Sequence, residues 1–252
     1  MSTTFEYRFY NSDFDLHHDK LIEMYIKNGM KSSSWFKNLP TYTDSPAKNY
    51  WNHWKHTLSR LFNNELSKED VDKEFFADNP GNPTVKRCPG IKDLLSKSLV
   101  ITSPCEMFIE VKDGEIFSTH VSAKHLATIH FHNERQFKYN GDNTFENLVN
   151  AKINIPILYR INSDIVMLPA TYHNPSTDFI VAPGAISKKY SNLQELNVNT
   201  FINVKENKTI YIKEGEPLAY LWTNSGFKIK HNPDLFDLRM KTKFNDNLRN
   251  LI

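Results

Sequence analysis

Apolar and polar positions change period along this chain, and the change divides it into a helical front and a β-rich body. Residues 5–10, FEYRFY, alternate aromatic with polar side chains as a half-buried strand does. Residues 15–28 then read as a helix, with Asp15 as cap, Leu16, Ile22, Met24 and Ile26 at apolar positions and Gly29 as its stop. Trp51, Trp54, Leu58, Leu61 and Phe62 recur at steps of three and four, which predicts a second amphipathic helix over residues 47–63. Residues 66–78 form an acidic helix capped by Ser67, and the break NPGNP at residues 79–83 closes the helical front. Trp35 and Phe36 sit in the turn-rich stretch between these helices and are expected to pack across the body.

After a short helix over residues 91–97 the period shortens to two. The runs LVITS, EMFIEV, EIFSTHV, ATIHFH, INIPILYRI, DIVMLPA, DFIVAP, LNVNTFINV, TIYIKE and PLAYLW read as strands, with KDG at residues 112–114 as a hairpin turn. About ten short strands at this spacing suit an antiparallel sandwich or barrel. The expected architecture is therefore mostly β: a single distorted β-barrel or sandwich over residues 84–230, a helical N-terminal extension over residues 1–83 packed on it, and a C-terminal arm or helix over residues 231–252.

Composition narrows the partners. The 31 basic and 29 acidic side chains nearly cancel to +2, so no global field favours nucleic acid or an anionic membrane. No apolar run approaches the roughly 20 residues that span a bilayer, and residues 1–15 lack the basic-then-apolar order of a secretory signal, so the expectation is a cytoplasmic protein. Two cysteines, Cys88 and Cys105, make no disulfide framework and no zinc pair, and are expected to be reduced and packed. The sequence holds no Gly-rich phosphate loop and no G-x-S-x-G elbow.

The order WFKNLP, VKRCPGIKDLL, SPCEMFIEVKDGE, His132 followed by Gln136, IPILYRI, PATYHNP, FIVAPGAI and IKEGEPLAYLW resembles proteins of tailed phages and, more distantly, a bacterial domain of unknown function. The resemblance runs from about residue 35 to residue 227 and implies a compact β fold and a phage-like source, in which case the site of action is the host cytoplasm and a role as a structural or assembly protein of the particle is open. A narrower stretch, FIVAPGAISKKY followed by IKEGEPLAYL, is similar to the end of the dUTPase and dCTP deaminase barrel. Tyr190 stands at that family's tyrosine, but Ser187 and Lys189 stand where it places acidic residues. A serine without a partner base cannot deprotonate water at neutral pH, so the resemblance implies the fold and a nucleotide-sized site rather than hydrolysis.

The candidate chemistry is a histidine cluster. His120, His125, His130 and His132 fall in one short span, and His173 lies in a later β segment. Residues two apart on a strand share a face, so His130 and His132 can meet one metal ion. With Glu134 and His173 they make the donor set of a non-haem iron(II) site, or of another divalent metal, open to oxygen or substrate. The cupin-like version takes Gln136 in place of Glu134. Tyr172, Asn174, Gln136 and Tyr190 are then candidate substrate contacts. The competing reading has Ile129 and Phe131 facing the core and both histidines facing water, as period-two alternation allows. Three functions follow: a metal-dependent small-molecule enzyme of oxygenase or cupin type, a metal-free nucleotide or small-molecule binding protein, and a particle component, with a homo-oligomer open in each.

Overall fold

The computed structural model describes residues 2–10, 17–32, 38, 88–132, 147–173, 178–191 and 193–240, with backbone alone for residues 31, 32, 190 and 191. The chain divides into two units, one of residues 1–32 and 94–252 and the other of residues 33–93. Of the second unit the described residues are 38 and 88–93, so the expected helices over residues 47–63 and 66–78, and Trp35 and Phe36, lie outside the described residues.

The first unit is mostly β, as its alternating pattern predicts. Its strands are β1 (Thr3–Phe9), β2 (Ile26–Asn28), β3 (Ser98–Thr102), β4 (Met107–Lys112), β5 (Glu115–Val121), β6 (Thr128–Phe131), β7 (Leu148–Ile161), β8 (Ile165–Pro169), β9 (Phe179–Val181), β10 (Gly184–Ile186), β11 (Gln194–Asn203), β12 (Lys208–Ile212), β13 (Pro217–Trp222) and β14 (Phe227–His231). Helices α1 (His18–Tyr25), α2 (Gly29–Ser32), α3 (Pro89–Ser96) and α4 (Lys188–Ser191) are short. Residues 235–240 are helical as well.

Three sheets form. The first has the order β14-β1-β7-β11-β9, with β6 also paired to β7; the second runs β10-β8-β13-β3-β2; the third runs β12-β4-β5. Among the described residues no ladder closes on itself, so the β body is a set of open sheets and not a closed barrel. One cluster of buried side chains draws on all three, including Phe5, Tyr7, Phe9, Ile101, Met107, Ile109, Ile153, Ile155, Ile210 and Leu221. All five residues of β3 are buried, which fits a strand covered on both faces.

The N-terminal strand is not peripheral. β1 lies between β7, antiparallel, and β14, parallel, with its odd-numbered residues buried. Phe5 stacks on Tyr159 at 5.5 Å between centroids, and the chain terminus is thereby tied into the core. Elsewhere the local rules hold well. The KDG turn places Asp113 at φ 53° and Gly114 at φ 81°, the left-handed pair that a two-residue hairpin requires. Cys105 is buried as expected, whereas Cys88 is exposed and not packed; both are free thiols.

Candidate functional site

The strand β7 organises the outer face of the six-stranded sheet. Its residues Ala151, Ile153, Ile155 and Ile157 turn inward and are buried, so Lys152, Asn154 and Pro156 face outward. One edge of β7 is shared by two partners: β1 pairs with residues 157–161, and β6 pairs with residues 151–154. Between them the ladder is bridged by the Tyr10 N–H donating to the Pro156 carbonyl at 3.1 Å. On the other edge the register with β11 jumps from Glu195 opposite Leu158 to Leu196 opposite Ile155. Pro156 has no N–H to give a ladder, and it sits at this irregularity.

The result is a notch. A cleft of about 300 Å³ opens there, lined by Tyr10 at the end of β1, Lys124 and His125 in the turn before β6, Thr128 and His130 on β6, Asn154 and Pro156 on β7, and Glu195 on β11. That volume is at the low end for a small-molecule site. Tyr10 donates its hydroxyl to Glu195 Oε1 at 3.1 Å, and the Arg239 guanidinium lies 3.6 Å from the same oxygen. Thr128 Oγ1 and His130 Nε2 are hydrogen-bonded at 3.1 Å. Asn154 Oδ1 is buried with no hydrogen-bond partner among the described residues. Such an orphan costs stability unless something else satisfies it.

The register decides the facing of the histidine strand. Ile129 lies opposite Ile153 and Phe131 opposite Ala151, both inward residues of β7; His130 lies opposite the outward Lys152 and is exposed. His132 continues the ladder through its N–H to the Asn150 carbonyl at 3.0 Å. His130 lines the notch, while His132 lines a second groove of about 470 Å³ with Phe117, Phe131 and the β5 edge.

His173 lies in neither. It follows β8, and its Nδ1 is 2.5 Å from the Tyr220 hydroxyl of β13. The Tyr172 N–H donates to that hydroxyl, and a ring N–H of His173 donates to the Gly29 carbonyl. A neutral imidazole satisfies this chain, with Tyr220 donating to Nδ1. Burial lowers the His173 pKa, the Gly29 carbonyl opposing it, and burial raises that of Tyr220.

Of the expected metal set, then, His130 lies on β6 and His132 just after it, lining different clefts, His173 is engaged elsewhere, and Glu134 lies outside the described residues, as do Gln136 and Asn174. Among the described residues no group of three His, Cys, Asp or Glu side chains is placed to hold a metal ion. Tyr172 is exposed beside the Tyr220 pair, and of Tyr190 the backbone alone is described. Ser187, at the place of a catalytic aspartate in the barrel resemblance, accepts the Lys189 N–H at 3.2 Å at the start of α4. Sequence reasoning missed Tyr10, Lys124, Thr128, Asn154 and Glu195. A lysine-histidine pair before a strand and a proline inside a long strand were the available signals.

No protein-family profile, curated protein or solved structure matches the chain.

Proposed function

We propose that this chain binds a compact anionic small molecule, of the class of a phosphorylated or carboxylated metabolite or nucleotide, in the notch between β1 and β6 and without a metal ion. What carries the reading is the convergence of Lys124, His125 and His130 around one cleft that Asn154 and Thr128 also line. Lys124 brings positive charge, and imidazole N–H groups bind carboxylate or phosphate oxygens directionally. The resemblance of residues 179–221 to a nucleotide-handling barrel lends the nucleotide its place in this class.

Calorimetric titration with inorganic phosphate and with a nucleoside monophosphate tests the reading. Saturable binding is expected, and Lys124→Ala should weaken it about tenfold or more, as loss of one charge-assisted contact does. Absence of saturable binding to either probe, or a Lys124→Ala variant that binds as the wild type does, overturns it.

A further inference from the structure

The notch has a carboxylate among its cations, and the C-terminal arm answers it. Asn232, just after β14, donates Nδ2 to Glu6 at 2.9 Å, and Arg8 donates to the Pro233 carbonyl at 2.5 Å. Leu235 is fully buried, and the Arg8 guanidinium lies 5.6 Å from the Phe236 ring centre. These contacts lay the helical residues 235–240 along the outer face of the six-stranded sheet and bring Arg239 to the rim of the cleft. There its guanidinium stands 5.3 Å above the Tyr10 ring and 3.6 Å from Glu195 Oε1. Its Nη1 is buried with no hydrogen-bond partner among the described residues.

At 3.6 Å the Arg239 and Glu195 pair is too long for a hydrogen bond, so Arg239 acts on Glu195 by charge. We infer that Arg239 is a positioning residue for the ligand site: it cancels the Glu195 charge and holds Tyr10 and Glu195 in place, which keeps the notch receptive to an anion and couples docking of the C-terminal arm to ligand capture. The inference rests on the anion-binding reading of the notch. Without Arg239, Glu195 repels the incoming anion and competes with it for Lys124. Arg239 itself touches no ligand, since the cleft is lined by Tyr10 and Glu195 beneath it.

A rescue experiment on the full chain, with inorganic phosphate as probe, separates this from a clasp that only stabilises the fold. Arg239→Met keeps the aliphatic stem and removes the charge, and should weaken phosphate binding about tenfold, a typical coupling between sites. The loss should shrink at high salt. Glu195→Gln should bind phosphate more tightly than the wild type, and the double variant Arg239→Met with Glu195→Gln should regain wild-type affinity. A single Arg239→Met variant with unchanged affinity, or a double variant as weak as that single one, overturns the inference while leaving the ligand site standing. If Arg239→Met fails to fold, Glu195→Gln alone decides, since weaker phosphate binding there contradicts a repulsive Glu195. A wild-type chain that does not bind phosphate removes the ligand site and this inference together.

Discussion

His173 and His130 carry the same imidazole within one folded unit, and their surroundings give it opposite duties. His173 sits after β8 with Tyr220 on Nδ1 and the Gly29 carbonyl on a ring N–H, and burial lowers its pKa. His130 is exposed on the outer face of β7's sheet, where its Nε2 is hydrogen-bonded to Thr128 Oγ1 at 3.1 Å in an open cleft. One histidine is spent on holding β8, β13 and the β2–α2 junction together, which leaves it little freedom to bind anything. The other contributes almost nothing to the core and is free to meet a ligand. A count of histidines along a chain therefore says little about a site until each ring's partners are known.

The largest expected effect sharpens that contrast. His173→Ala strands the Tyr220 hydroxyl and the Gly29 carbonyl and should cost about 2–3 kcal/mol in urea unfolding, whereas His130→Ala should change stability by less than about 0.5 kcal/mol. Equal costs would break the comparison.

The next effect is in pH. Folded His173 resists its proton, and in the unfolded chain it titrates near its ordinary value of 6.5. As pH falls below 6.5 the unfolded state takes up the proton first, so the stability from this group is full above that pH and is lost towards the lower folded pKa. Urea midpoints measured from pH 7.5 down to 5 should show this slope in the wild type and in His130→Gln, and a smaller slope in His173→Gln. A slope that survives His173→Gln unchanged assigns it to other groups.

The smallest expected effect concerns metal. Dialysis of untagged protein against EDTA should move Tm by less than about 1 °C, because a ligand that does not bind the folded chain adds nothing to its stability. A fall of several degrees that iron(II) reverses would return His130, His132 and Glu134 to the centre of the chemistry.

Most of the β body was legible because short runs rich in β-branched and aromatic residues, bounded by turn residues, mark strands whether or not one face is buried. EIFSTHV and PLAYLW match β5 and β13 residue for residue. β2 and β10 are three residues long, too short for a period to show. The histidine strand was read with two facings open, and a two-residue period cannot choose between them. Register did, by setting Ile129 against Ile153.

The amino-acid order alone determined the mostly β class, the hairpin at Asp113 and Gly114, and the near-neutral charge, because each depends on neighbours a few positions away or on composition. Only the tertiary structure decided that the sheets stay open, that His173 is bound to Tyr220 across 47 positions of sequence, and that Tyr10, Lys124, Asn154 and Glu195 meet in one notch. Those outcomes depend on pairings between distant segments, whose register is set by burial of whole faces and by the single proline that interrupts β7's ladder.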